Sequence, residues 1–241
     1  MEAQTTNRPV EAEIQGRQLA QQLCEAQPME NFTNTGFLEI RGRVDKTSRI
    51  PIRFATRVTE TNWVNLFEGI NTNSDTGDKL RIVHRDFSPN HYAVVHVCQP
   101  GLTFSQLDIW GVGRIRSESE LMAPFVQSDF WLCDLGLEFF HWPQQKILKH
   151  EMRRGRSCKV LESTNPNSPP NGYSRVVSWI DNETHGIVQA EAYDAKGKLL
   201  KEFYPKTFKK VNGQWELQEM EIRNDQTGSR TRLEFDLKHP D

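Results

Sequence analysis

The chain has 241 residues, 30 basic and 32 acidic side chains, a formal net charge of −2, and 36% hydrophobic and 10% aromatic residues. At roughly 150 residues per domain, this length allows one large β-type domain or two small ones. The balanced charge lacks the basic excess of a dedicated nucleic-acid binder. Unbroken apolar runs stop at four residues, as in Phe130–Cys133, far short of the roughly 20 that a membrane-spanning helix requires.

Residues 1–9 read as a frayed, polar leader with no apolar signal-peptide core. This fits either a cytoplasmic chain or an exported one whose signal has been removed. Val10 to Ala26 reads as a helix with Ile14, Leu19 and Leu23 near one face, stopped by Pro28. Beyond it the hydrophobic period changes to two. Leu38–Val44, Ile50–Val58, Trp63–Ile70, Leu80–Phe87 and Tyr92–Val97 read as half-buried antiparallel strands separated by turn-rich stretches. The C-terminal third adds Tyr173–Ile180, Ile187–Tyr193, Leu199–Phe208, Trp215–Ile222 and Thr231–Leu237, with Asn212-Gly213 as a hairpin signal. The expectation is a meander of about ten strands with one wet and one apolar face.

Ser128–Trp142 (SDFWLCDLGLEFFHW) breaks this pattern. Ser128 is placed to cap a helix and Pro143 to end it, and the segment is apolar on more than one side. It is expected to lie across the open face of a curved sheet. No second core pattern begins after the Pro166–Gly172 loop, so residues 1–241 read as a single domain. The cysteines Cys24, Cys98, Cys133 and Cys158 match no metal or redox spacing; buried thiols are the plain reading, with a Cys133–Cys158 disulfide as the alternative.

Catalytic signals are absent from the sequence. His84-Arg85-Asp86 has the letters of a kinase loop but none of its companion motifs, and no Gly-x-Ser-x-Gly elbow exists. His91 and His96, five apart, fall on opposite faces of a strand and cannot share a metal. No catalytic residue, metal or cofactor is assigned. Two basic stretches, one from Lys146 to Lys159 and one from Lys196 to Lys210 that includes Lys201, read as solvated strand faces or as a docking patch for an acidic partner or lipid headgroups. The aromatic excess points elsewhere. Phe54, Trp63, Phe67, Trp110, Phe125, Phe130, Trp131, Leu135, Phe139, Phe140, Trp142 and Trp179 are the candidate lining of an apolar cavity and its lid, against the alternative of a dry, filled core.

From Gly113 onward the sequence resembles the LolA-like family of outer-membrane lipoprotein-sorting proteins, and within it a branch of uncharacterised periplasmic proteins. The residues that carry the resemblance are Gly113–Arg116, Phe125, Ser128-Asp129-Phe130, Asp134-Leu135, Cys158–Glu162, Tyr173–Asp181, Ala190–Asp194, Gly197–Lys201 and Met220–Asn224. The resemblance implies a mainly β (α+β) fold, in which a single strongly curved antiparallel sheet, an incomplete barrel, is covered by an N-terminal helix and a helical lid. It also implies a noncatalytic, monomeric periplasmic carrier or sensor for lipoprotein acyl chains or another lipid, whose signal peptide has been removed and which meets an inner- or outer-membrane partner protein but no nucleic acid. The alternatives are an enzyme with acid–base groups in the same concavity, or a scaffold for envelope proteins.

Overall fold

The computed structural model describes residues 8–43, 47–85, 88–108, 113–114, 117–211 and 214–237. Helix α1 (Arg8–Cys24) precedes five strands, β1 (Phe32–Arg41), β2 (Thr47–Val58), β3 (Asn62–Asn71), β4 (Thr76–Arg85) and β5 (Ser88–Cys98), and a two-residue β6 (Gly113–Arg114). An irregular segment leads to β7 (Gln144–Arg153), β8 (Arg156–Thr164), β9 (Arg175–Asp181), β10 (Ile187–Tyr193), β11 (Leu199–Val211), β12 (Gln214–Asn224) and β13 (Ser229–Phe235). The hairpin turn read at Asn212-Gly213 and most of the N-terminal leader lie outside the described residues.

All these strands belong to one antiparallel sheet in the order β6-β5-β4-β3-β2-β1-β13-β12-β11-β10-β9-β8-β7. Each strand pairs with its sequence neighbour, and β1 pairs with β13 in mid-sheet, Leu38 opposite Leu233. The sheet is therefore a meander opened between β6 and β7, and it is not closed into a barrel. Eight inter-strand steps separate β4 from β9, about 38 Å if the sheet were flat. Yet Leu80 and Ile82 of β4 share one hydrophobic core with Val176 and Ile180 of β9. The sheet curls around that core, as its sequence periodicity requires: Leu38 of β1, Ile50 and Ile52 of β2, Phe67 of β3, Leu80 of β4, Ile222 of β12 and Leu233 of β13 point inward and are buried.

Strands β7 and β8 were not among the sequence-read strands. Both overlap the basic stretch from Lys146 to Lys159, where charge masks the inward pairing of Ile147 with Leu161. Helix α1 covers edge strand β7 through Gly16, Leu19 and Ala20, all buried, whereas Ile14 is exposed. Close approach decides this face: a Cβ at Gly16 would stand 2.5 Å from the Lys146 backbone nitrogen. Alanine favours a helix interior over glycine by about 1 kcal/mol. Gly16→Ala is nevertheless expected to destabilise the protein by about 1–3 kcal/mol through overpacking, read as a lowered urea midpoint at unchanged slope. A raised midpoint would contradict the close docking of α1.

Candidate functional site

The segment between β6 and β7 crosses the concave side of the sheet and fills it. Ser117 opens it by capping the short helix α2 (Glu118–Leu121) in a reciprocal box with Glu120. Val126 and Gln127 then adopt positive φ, 42° and 61°, which is costly for a β-branched residue. Strand β4 and the turn before it hold them there. The Asp78 carboxylate accepts the Val126 N–H at 2.5 Å, and the Gln127 amide donates to Ser74 and Thr76. The Val126 side chain sits over Gly69, where a Cβ would meet its Cγ1 at 2.9 Å.

A buried polar cluster pins the next stretch. Lys201 of β11, 1% exposed, donates from Nζ to the Asp129 carbonyl at 2.6 Å, stands 3.6 Å from the Asp134 carboxylate, and lies 3.6 Å from the centroid of the Trp131 ring. Asp134 Oδ2 also accepts the Trp131 N–H at 2.7 Å and the Tyr173 hydroxyl at 3.3 Å. The Asp129 carboxylate accepts from Ser229 and Thr231 of β13. Burial pushes the Asp134 carboxyl up, opposed by the Lys201 charge, and pushes the Lys201 ammonium down, opposed by Asp134.

The single helix expected over Ser128–Trp142 is broken. Helix α3 spans only Leu132–Leu135, and a 3-10 turn covers Glu138–His141. The physical reason lies at Asp134, Gly136 and Leu137. Asp134 caps α3 from Trp131 rather than Ser128 starting it, Leu137 is left-handed at φ 50°, and Gly136 lies against Tyr92, whose hydroxyl would stand 2.0 Å from any Cβ there. Asn90 donates to the Gly136 carbonyl, and the Gln145 amide donates to the carbonyls of Phe139, Phe140 and Trp142.

The insert leaves a cleft of about 230 Å³ at the mouth of the concavity, bounded by Leu23 and Cys24 of α1, the inner faces of β1–β4, and Leu135–Leu137 of the insert. Phe54, Trp63, Leu135 and Phe140 line it. Phe54 stacks on Phe67 at 4.5 Å and Trp63 on His84 at 4.8 Å. Phe67, Phe125, Phe130 and Phe139 are closed into the dry core instead. Trp131 is occupied with Tyr173 and Lys201. Trp142 lies toward a neighbouring cavity. Trp179 is not part of this surface: it belongs to a separate cluster with Cys158, Val160 and Val177, because its register on β9 alternates with that of Val176 and Ile180. Trp110 lies outside the described residues. Cys133 and Cys158 occupy different core clusters, and all four cysteines are free thiols, so the disulfide alternative does not hold.

The polar side of the cleft is electrically quiet. The Asn65 amide approaches His84 Nε2 at 3.0 Å, and Thr56 donates to Asn65 Oδ1. Burial, with His141 nearby, holds the His84 pKa down to about 4, and burial also lowers His141. Burial and then Glu138 push the Cys24 thiol up to about 12, so it is no thiolate nucleophile. Among the described residues no group of three or more His, Cys, Asp or Glu is placed to hold a metal. Sequence reasoning missed Lys201, counted within a solvated basic stretch. Its signal was the strand period, which places it on the same inward face as Phe203.

This geometry, an open curled sheet with an apolar concave face and a crossing insert, is the LolA-like fold. It is shared with a DUF1329 family protein from Desulfovibrio piger (TM-score 0.71, 19% identity, 95% of this chain and 93% of that one). A domain from Vibrio parahaemolyticus described as an outer membrane lipoprotein-sorting protein superposes with TM-score 0.70 at 22% identity, over 93% and 92% of the two chains. A LolA superfamily protein from Nitrosomonas europaea gives 0.61 at 15% identity, over 95% and 94%. No curated protein matches the chain. A family model described only as "Uncharacterized protein" matches residues 110–238. The chain belongs to that family, and the matched region contains Asp129, Asp134, Tyr173 and Lys201.

Two outcomes test this account. Lys201→Met strands the Asp134 carboxylate in the core and is expected to cost about 3–5 kcal/mol in equilibrium unfolding, most of it recovered in Lys201→Met/Asp134→Leu. His84 is held neutral well below its ordinary 6.5, so its contribution is complete above pH 6.5 and is lost as pH falls toward 4, at most about 3 kcal/mol. His84→Gln should flatten that limb of the stability–pH curve, and an unchanged limb would place the titration elsewhere.

Proposed function

We propose that this chain is a single-domain, noncatalytic carrier or sensor that binds an acyl chain or similar lipid in the concavity of its curled sheet, in the periplasm. The observation that carries the reading is the concave face itself. Strands β1–β5 and β7–β13 each contribute apolar side chains to one core there, the face is open at the cleft beside Phe54, Trp63, Leu135 and Phe140, and it is covered by a segment joined to the strands at both edges. The lipoprotein-sorting description of the Vibrio neighbour supports the same reading.

The cleft is small. Sites for drug-sized ligands run to about 300–1,000 Å³, against about 230 Å³ here. The structure is therefore read as the closed form, and a longer chain enters as the insert withdraws and exposes Phe125, Phe130 and Phe139. Each methylene then moved out of water contributes about 0.8 kcal/mol. The acid–base groups of the concavity, Asp134, Tyr173 and Lys201, are buried and serve here to hold the insert rather than to act on a substrate. A partner protein in either membrane would meet the exposed basic residues of the β7–β8 hairpin. The filled concavity favours one second reading, a scaffold that binds envelope proteins through its outer face.

Native mass spectrometry of the purified chain, beside its denatured mass and an organic extract, separates the two. The carrier reading expects extra mass that partitions as lipid. Leu135→Trp, which fills the cleft, is expected to lower bound lipid at least about tenfold at an unchanged urea midpoint. A clean apo mass that persists after incubation with phospholipid and lipoprotein would favour the scaffold.

A further inference from the structure

Phe140 and His141 form a wall that the cleft shares with a neighbour. On their far side a second cavity of about 250 Å³ shares Cys24, Phe140 and His141 with the first. Its remaining walls have different chemistry. Arg17 comes from α1, Arg85 from the end of β4 and Ser88 from the start of β5. Both arginines are exposed and have no ion-pair partner among the described residues. One carboxylate, Glu25, also lines this wall and accepts from the Gln21 amide at 2.7 Å, so the described wall carries two positive charges against one negative.

We infer that the two cavities form one amphipathic groove whose ligand is a single-chain amphiphile with an anionic head, a carboxylate or a phosphate, the tail lying against Phe54, Trp63 and Leu135 and the head between Arg17 and Arg85. The inference rests on the carrier reading and narrows its ligand class. The apolar half, about 230 Å³ in this closed form, takes the first part of one narrow chain, and the rest enters as the insert withdraws. It offers no charge, because His84 and His141 are held neutral there. The arginine half lies at the surface, so a head placed there keeps its water while meeting two guanidinium groups, whose planar donor forks match carboxylate and phosphate oxygens. A head of this kind avoids the desolvation that a charge deeper in the groove would suffer.

Titrations that follow tryptophan fluorescence, with Trp63 and Trp142 lining the groove, test this on the full chain. The probes are palmitate, 1-palmitoyl lysophosphatidylglycerol, neutral 1-monopalmitoylglycerol and inorganic phosphate, each below its aggregation limit. The two anionic amphiphiles are expected to bind at least about tenfold tighter than the neutral one, the margin set by charge-assisted hydrogen bonds. Arg17→Gln/Arg85→Gln should erase that margin while leaving monopalmitoylglycerol binding within about twofold and the unfolding midpoint unchanged. If only palmitate or only the lysophospholipid shows the margin, the head is assigned to carboxylate or phosphate accordingly. Equal binding of all three amphiphiles with no effect of the double variant would overturn the head site and leave the carrier reading intact. Inorganic phosphate binding as tightly as the amphiphiles would reduce the site to an anion pocket and also overturn it. Binding of none of the amphiphiles would remove both readings.

Discussion

One ammonium group organises the inside of this protein. Lys201 is nearly the most buried large side chain in the molecule, and it reaches the insert three ways: through the Asp129 carbonyl, the Asp134 carboxylate and the face of Trp131. A charge so buried is weak support for raw stability, because desolvation offsets most of the attraction. What it supplies is position. The insert has no regular ladder to fix its register, and an apolar segment on an apolar concave face could settle in many ways. A lysine that must find an acceptor, and a carboxylate that must find donors, leave few of them. The Asp78 carboxylate plays the corresponding role at the other end, where it accepts the Val126 N–H.

This arrangement bears directly on how a carrier would work. A lid held only by apolar contact has no sharp distinction between closed and half-closed. A lid held by polar groups that are satisfied only when it is seated has two states, since partial withdrawal strands buried donors and acceptors. Opening then requires something that compensates those groups or exceeds their cost. Under the proposed carrier reading, an acyl chain buried against the inner faces of β1–β4 would not satisfy those groups but would offset part of their cost by its own transfer out of water.

Much of this was legible in the sequence. The alternation at Ile50, Ile52 and Phe54, or at Thr231, Leu233 and Phe235, has one structural solution once a face must be buried. The insert was visible as an interruption of that alternation. The β7–β8 hairpin was not, because lysines and arginines on its wet face outnumber the apolar residues on its dry one. The aromatic residues were recognisable as an excess but not as a map. Trp179 and Val176 are three residues apart and lie on opposite sides of the sheet, while Phe54 and Leu135 are 81 positions apart and line one cleft.

The sequence by itself determined a β-rich chain with one apolar face per strand, a leading helix and an apolar crossing segment, because periodicity and turn chemistry act over a few residues. Tertiary structure alone decided that β1 closes on β13, that Lys201 is a buried anchor rather than a surface charge, that the expected lid helix breaks at Gly136 and Leu137, and that most of the candidate cavity is filled. Each of these depends on groups far apart in the chain competing for the same space, donors or charge. Such competition is settled only when the whole sheet has curled around its insert.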